Sequence, residues 1–365
     1  MIGTGKSLRV LVAPLDWGLG HATRCVPIIG ELLYLGCEVV LAADGACAQL
    51  LAREFPQLEI KKLPGYHIRY GKKSLIQSVL LQMPGIFKNI HNEHRWLQNL
   101  LQKEKFDIII SDNRPGFWNR QSHCIYITHQ LRIKSGMNGL FDDMLQRLHY
   151  RYIKKFNEVW VPDVDAALNA AGVLAHPSKT FLHPLYIGLL SRMQPQPTET
   201  KKHDWMILLS GPEPQRTLLE QQLIKEIRGL NKKIILVRGL PGNTEAIEAG
   251  AHVDVFNHLT ASQLQQVLNQ SEIVICRSGY TTIMDLLKLK KKALLIPTPG
   301  QTEQEYLATH MQALGCFPFL KQSEFTITKA AAVLQNFHFQ FPFGDEQFEQ
   351  YRDTMASLTA IPHKL

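Results

Sequence analysis

Within Val274-Ile275-Cys276-Arg277-Ser278-Gly279-Tyr280-Thr281-Thr282-Ile283-Met284-Asp285 an apolar run of strand type gives way to a glycine turn and then to helical spacing. Strand, glycine turn and helix in direct succession is the repeating unit of a doubly wound α/β sheet, whose ligands sit beyond the carboxyl ends of the strands. Gly279 lets a ligand approach the backbone closely, while Ser278, Thr281 and Thr282 add hydroxyls and N–H groups around the helix start. Together they make a cradle for a diphosphate. Asp285 falls about one turn into the helix, where its carboxylate suits the two hydroxyls of a ribose or, alternatively, its own helix dipole.

The same alternation extends outward. Apolar runs at 205–210, 233–238, 252–256, 273–276 and 293–296 are expected strands with helices between them. After the last comes Ile296-Pro297-Thr298-Pro299-Gly300-Gln301-Thr302-Glu303-Gln304-Glu305-Tyr306, whose amides and carboxylates suit sugar hydroxyls. Thr302 followed by Glu305 also reads as a capping box on a surface helix. Toward the amino terminus, strands are expected at 8–13, 38–43, 106–111, 123–127 and 158–161, with helices at 22–35 and 45–55. Such apolar runs joined through helices predict parallel sheets covered on both faces.

Between these halves, Ser191-Arg192-Met193-Gln194-Pro195-Gln196-Pro197-Thr198-Glu199-Thr200-Lys201-Lys202 is polar and aperiodic and reads as a linker. The predicted organisation is one Rossmann-like domain over 1–187, a linker over 188–203, a second over 204–340, and a last segment, 341–365, whose helix crosses back to the first half. A chain of 365 residues with 45% hydrophobic residues has material for two cores, which excludes disordered and low-complexity classes. Its 40 Lys and Arg against 32 Asp and Glu give a net charge of +8, mild enough for an anionic ligand or a membrane surface. Nucleic acid is not expected as a partner, because the basic residues are not interleaved with aromatic platforms. The 6 cysteines lack CxxC spacing and the 15 histidines lack an HxxxH cluster, so no disulfide framework, metal or other cofactor is expected. Pro14 and Asp16 break the first apolar stretch, and no apolar run reaches the ~18 residues of a membrane span. A cytoplasmic protein is expected. Residues 61–105, basic with an apolar stretch inside, read either as a dock on the inner face of the membrane or as a helix packed on its own domain. Gly3-Thr4-Gly5-Lys6-Ser7 imitates a P-loop but has no preceding strand.

A second glycine turn, Asp16-Trp17-Gly18-Leu19-Gly20-His21-Ala22-Thr23-Arg24, follows the first strand. Gly18 and Gly20 permit the turn, and the His21 imidazole is suited to general-base work at neutral pH, or else caps the helix. Asp16 and Arg24 flank it, and Asp112, Asn113, Arg114 and His129 follow later strands of the same half, where they line the same crevice or form ordinary turns. Two anion-directed turns in two α/β halves predict a cleft between domains for a nucleotide-bearing substrate.

The run Cys276-Arg277-Ser278-Gly279, the acid Asp285, the strand ending at Pro297 and Gln304-Glu305-Tyr306 resemble the donor-binding half of glycosyltransferase family 28, the MurG-like UDP-sugar transferases. Gly18-Leu19-Gly20-His21 resembles that family's amino-terminal glycine turn. The resemblance implies a GT-B fold, a UDP-sugar donor such as UDP-N-acetylglucosamine in the second domain, and an acceptor, lipid- or envelope-linked among the alternatives, in the first. It implies that Asp285 holds the ribose, that Ser278, Gly279, Thr281 and Thr282 lie near the diphosphate, that Gln304 and Glu305 face the sugar, and that Arg277 and Tyr280 belong to the donor-binding set. Phe256 and Asn257 match the segment that reads the uracil, and Ser210 and Gly211 match a glycine-serine loop. The first glycine turn carries fewer glycines than the family pattern, and Pro212-Glu213-Pro214 departs from it. Gly-x-Gly-His-x-x-Arg is also similar to the UDP-sugar hydrolase of pseudaminic acid synthesis, in which water replaces the acceptor. A transferase with His21 as base, a hydrolase and a non-catalytic binder of nucleotide sugars therefore stand as the expected functions.

Overall fold

The structure, a computed structural model, describes residues 7–66, 75–134, 139–178, 180, 182–196 and 200–358. The P-loop look-alike lies almost wholly outside these, as do the side chains of most of the apolar stretch in the basic segment. Two compact units make up the chain. One is built mainly from the chain up to Leu190 and the residues from Glu346, the other mainly from Ser191–Asp345.

The first unit has seven strands, β1 (Arg9–Pro14), β2 (Glu38–Ala43), β3 (Ile60–Lys62), β4 (Ile108–Asp112), β5 (His123–Ile127), β6 (Glu158–Val161) and β7 (Leu185–Tyr186). They lie in the order β3-β2-β1-β4-β5-β6-β7, and every pairing is parallel. Helices α1 (Leu19–Tyr34), α2 (Gly45–Glu54), α3 (Leu75–Leu101) and α4 (Gly139–Ile153) carry the connections. Ala22, Cys25, Ile28, Ile29 and Leu32 form the buried stripe of α1 and pack on Val10, Val12 and Val39 of the sheet. The helix begins earlier than its apolar period does, because Gly18 at φ +94° turns the chain sharply out of β1. His21 therefore sits inside the first helical turn.

The second unit has β8 (His203–Leu208), β9 (Ile234–Val237), β10 (Val253–Phe256), β11 (Ser271–Cys276) and β12 (Ala293–Leu295), in the order β10-β9-β8-β11-β12. These pairings are also all parallel. Helices α5 (Gln215–Ile227), α6 (Ala261–Gln270), α7 (Tyr280–Lys288), α8 (Thr302–Ala313) and α9 (Ile327–Asn336) complete it. Its core joins Trp205, Ile207, Leu223, Leu236, Ile275 and Leu294. The stretch 188–203 is not a solvated linker throughout: Leu189, Leu190, Ser191 and Met193 are buried, and His203 already pairs with Ser271.

In each sheet the strand order reverses once, at β1/β4 and at β8/β11, and crevices for ligands open at such reversals. All six cysteines are free and buried. Among the described residues no helix is long and apolar enough to cross a membrane.

The last helix, α10 (Asp345–Leu358), places Tyr351, Met355 and Leu358 in the core of the first unit. Met355 is fully buried there. Met355→Ala is expected to lower the unfolding free energy of this unit by about 2–5 kcal/mol, through lost burial plus a cavity. Urea denaturation followed by a probe in the first unit checks this; an unchanged midpoint would show that the helix contributes nothing to that core.

Candidate active site

Residues distant in sequence meet at the reversal of the first sheet. Asp112 ends β4 beside Pro14, the last residue of β1, and His21 and Arg24 lie on successive turns of α1. Arg24 grips the Asp112 carboxylate with one edge of its guanidinium: Nε donates to Oδ2 at 2.7 Å, and Nη2 donates to Oδ1. Its Nη1 donates to His129 Nδ1 at 2.6 Å. Asp112 and Arg24 are both buried. Burial opposes the charge on Asp112, but Arg24 and His21 outweigh it and hold the carboxyl well below the usual carboxylate range.

His21 Nδ1 lies 3.1 Å from Asp112 Oδ1 and 3.0 Å from Arg24 Nη2. A proton on Nδ1 satisfies the carboxylate and leaves the lone pair on Nε2, which makes the ring a base. A lone pair on Nδ1 accepts from Arg24 and makes Nε2 a donor. Burial lowers the His21 pKa, Asp112 opposes this and Arg24 adds to it, so the ring is neutral at neutral pH.

Asp16 and Arg114 join a different group. The Asp16 carboxylate accepts from Tyr66 N at 2.9 Å, and Arg114 Nη2 lies 3.5 Å from it. Arg114 is fully buried, donating from Nε to Pro14 O at 2.8 Å and from Nη1 to Glu93 Oε2 at 3.3 Å. Glu93 also accepts from Gly116 N, and burial raises its pKa to about 7 against the pull of Arg114. Asp16 and Arg114 thus tie the β1–α1 turn to Tyr66 and Glu93. Asn113, at φ +58°, accepts from the Tyr126 hydroxyl. Gly20 lies in the first turn of α1. Trp17 stands 39% exposed, edge-on to Tyr66.

In the second unit, the turns after β8, β11 and β12 gather the other expected residues. Gly279 caps α7 with no side-chain cap, Tyr280 is its first residue, and Thr281 and Thr282 are half-buried beside it. The positive end of the helix dipole thus stands at the carboxyl edge of the sheet. Ser278 Oγ donates to Gln304 O at 2.8 Å, and Gln304 Oε1 accepts from Thr298 N at 2.9 Å, which ties this turn to the next. The capping-box alternative does not form. Gln301 precedes α8 without a side-chain cap, and Glu305 instead accepts from Gly300 N at 2.9 Å. Gly211, at φ +102°, follows the exposed Ser210, and a Cβ there would stand 3.8 Å from Thr298 Oγ1.

Arg277 has both Nη atoms engaged within the protein, while its Nε is without a hydrogen-bond partner among the described residues. Its guanidinium is buried and donates to Ile296 O, Pro297 O, Gln215 O and Gln322 Oε1, so it clamps the ends of β11 and β12 together. Three buried polar atoms here have no hydrogen-bond partner among the described residues: Arg277 Nε, Thr298 Oγ1 and Gln301 Oε1. Asp285 is buried and accepts from Ser191 Oγ at 2.6 Å. Burial raises its pKa to about 6, despite the opposing Arg192 charge and the Ser191 bond. The Phe256 ring is 42% exposed. Asn257 takes an Arg238 hydrogen bond at 2.7 Å and donates to Asn243 O and Glu245 O, which holds the β10 turn. Among the described residues no group of three or more His, Cys, Asp or Glu is placed to hold a metal ion.

Sequence reasoning missed Glu93, Tyr66 and Ser191. Glu93 had a signal, since it and Glu104 are the acids of the basic segment 61–105, and both are bound to arginines. Ser191 lay inside a polar stretch and carried none.

Residues 215–347 match the family model described as the glycosyltransferase family 28 C-terminal domain. Two curated UDP-N-acetylglucosamine--N-acetylmuramyl-(pentapeptide) pyrophosphoryl-undecaprenol N-acetylglucosamine transferases are similar over a short stretch. That of Methylobacterium radiotolerans is 35% identical over 66 residues, 18% of this chain and 18% of its own. That of Pasteurella multocida is 34% identical over 68 residues, 18% of this chain and 19% of its own. The matched stretch thus spans about a fifth of these relatives. Solved structures are similar over nearly the whole chain. The glycosyltransferase SnogD from Streptomyces nogalater has a TM-score of 0.59 at 15% identity, covering 98% of this chain and 99% of that one. MurG from Acinetobacter baumannii has 0.55 at 12%, covering 98% and 100%. The spinosyn rhamnosyltransferase SpnG, solved with thymidine diphosphate, has 0.59 at 16%, covering 98% and 97%. The fold is that of the GT-B glycosyltransferases, two α/β units each with a parallel sheet.

Removing one partner of a buried ion pair leaves the other charge uncompensated. Asp112→Asn is expected to cost about 3–5 kcal/mol of stability in the first unit. Denaturant melts at pH 7 check it, and a loss below about 1 kcal/mol would show that Arg24 does not depend on this carboxylate.

Proposed function

From a second unit that carries the C-terminal domain of glycosyltransferase family 28, we propose that this protein transfers a sugar from a UDP-sugar to an acceptor hydroxyl. The observation that carries the reading is the trio of unpartnered buried atoms, Arg277 Nε, Thr298 Oγ1 and Gln301 Oε1, beside the uncapped start of α7. Buried polar atoms are rarely left without partners, and a polar ligand at this edge would supply them. The α7 start offers backbone N–H groups and a positive dipole end to a diphosphate, Asp285 accepts from ribose hydroxyls, and Gln304 and Glu305 stand where a sugar would follow. In this reading Phe256 and Asn257 read the base, and Ser210 and Gly211 belong to the loop that meets the donor. UDP-N-acetylglucosamine is the donor in this reading, by analogy with the curated relatives. The protein works in the cytoplasm, its acceptor presented at the membrane.

In the transfer step His21 Nε2 takes the acceptor proton as the acceptor oxygen attacks the anomeric carbon. The bond from that carbon to the diphosphate breaks, and its electron pair leaves with UDP. Asp112, kept ionised by Arg24, stabilises the imidazolium that forms. The charge growing on the leaving diphosphate is met by oriented N–H groups at the helix start, where fixed dipoles need no reorganisation.

UDP release from a panel of UDP-sugars, with and without a lipid extract of the source cells, tests the reaction. Release only with extract is the expected result. Rapid release without it makes water the acceptor, and failure to bind any UDP-sugar overturns the reading.

Two substitutions separate the roles. A carboxyl whose folded pKa is raised favours folding below its unfolded value and loses that contribution as pH rises through about 6. Asp285→Asn is therefore expected to raise the melting temperature at pH 7.5, by an amount that vanishes near pH 4, while weakening UDP binding by about tenfold. His21→Ala is expected to leave UDP affinity within about twofold and to lower kcat at least about a hundredfold. The wild-type acid limb should fall below the ordinary histidine value of about 6.5. Equal loss of UDP affinity in both variants contradicts the assignment.

A further inference from the structure

The opposite edge of the second sheet has its own chemistry. At the amino ends of its strands lies a cavity of about 410 Å³, lined by Lys201, Lys202, Lys232 and Lys233 together with the acids Asp204 and Glu272. His203 and His252 add two imidazoles. The Asp204 carboxylate is engaged by Lys233 N at 2.8 Å. Among the described residues, none of the four ammonium groups has a carboxylate within ion-pair distance.

Behind the cavity wall, Lys201 Nζ donates to Asn269 O at 2.5 Å, and Lys291 Nζ lies 3.5 Å from the same oxygen. Lys291 is only 6% exposed. Asn269 is in the last turn of α6, where one ammonium makes a favourable cap. A second ammonium on the same neutral oxygen is not explained by capping, because like charges so close in a poorly hydrated place repel strongly. Burial and the neighbouring Lys201 lower the Lys291 pKa to about 7, which agrees with that crowding.

An anion reverses the sign of this repulsion. We propose that the amino-edge cavity binds a phosphate-type anion, held by its lining lysines Lys201, Lys202, Lys232 and Lys233, with Lys291 adding charge behind Lys201, and separate from the donor turns at the carboxyl edge. Lysines act as point charges that suit a phosphate, whose oxygens point in several directions, better than a planar carboxylate. The strand from His203 to Leu208 separates the two edges by about 16 Å, so one diphosphate cannot serve both. The phosphate is that of a soluble ester or of a lipid headgroup, and the experiment distinguishes these.

The full chain is titrated with pyrophosphate in the presence of saturating UDP. It is also sedimented with vesicles of phosphatidylglycerol or of phosphatidylcholine at 0.15 M salt, roughly physiological. Wild type is compared with Lys202→Glu/Lys233→Glu, both exposed positions, and with Lys201→Gln/Lys291→Gln, with melting curves to check the fold. The expected result is binding of pyrophosphate that weakens at least about tenfold in the first double variant, with UDP affinity unchanged. Pyrophosphate binding without vesicle binding assigns a soluble anion. Phosphatidylglycerol binding that pyrophosphate displaces assigns a headgroup. No binding of either probe by wild type, equal binding by wild type and the Lys202→Glu/Lys233→Glu variant, or loss of UDP affinity in that variant overturns the proposal. UDP affinity itself tests the donor reading, so the two can fail independently.

Discussion

A parallel strand can be reached only by carrying the chain back across a face of the sheet, so every strand in both units delivers the chain to the same edge. The helix that makes the return begins at that edge, and its positive dipole end stands there with it. Where strand order reverses, neighbouring returns leave on opposite faces and a crevice opens between them. His21 and Asp112 owe their meeting to that geometry, helped by the sharp turn at Gly18, and the turns that carry Gly211, Ser278 and Thr298 reach the same edge of their sheet in the same way. Both arrangements follow from β1 lying beside β4 and from β8 lying beside β11.

What could be read from sequence divides along the same line. Local periods announce α1 through Ala22, Cys25, Ile28 and Ile29, and the apolar runs announce the central strands, because both signals are complete within one element. Among the short strands, β7 and β3 carry no period and were invisible, whereas β12 was announced by the apolar run 293–296. The turns with candidate chemistry were legible from glycines and hydroxyls. Their bonds were not: Asp112 was expected at the same crevice, but not as the residue that reaches His21 across 91 positions, and Ser191, which reaches Asp285 across 94, carried no signal. The clamp made by Arg277 was equally illegible: only the packed structure shows its Nη atoms donating to the carbonyls of Ile296, Pro297 and Gln215, which leaves Nε unpartnered among the described residues.

Three buried carboxylates show how local geometry decides a charge. Asp112 faces a guanidinium square on, receives Nε and Nη2 together, and stays ionised. Glu93 meets its arginine through one longer contact of 3.3 Å, and burial wins, raising its pKa to about 7. Asp285 has a hydroxyl donor and only a distant arginine charge, and its pKa rises to about 6. Equal burial therefore gives a fixed charge in one place and titratable groups in two others. Asp112 is suited to orienting and stabilising a histidine. Asp285 is costly to keep buried in its charged form.

The second sheet also has to manage its two edges differently. At the carboxyl edge, helix starts offer N–H groups and partial positive charge, so an anion there needs few charged side chains, and Arg277 is free to serve as a clamp. At the amino edge the helices end, and their carbonyls present partial negative charge, as Asn269 O does. An anion can be held at that edge only by side-chain charge in excess of what capping consumes. Lysines crowd there, around a cavity, with two of them sharing the Asn269 carbonyl. The excess over capping, more than the basic character itself, separates a binding surface from ordinary helix-end electrostatics.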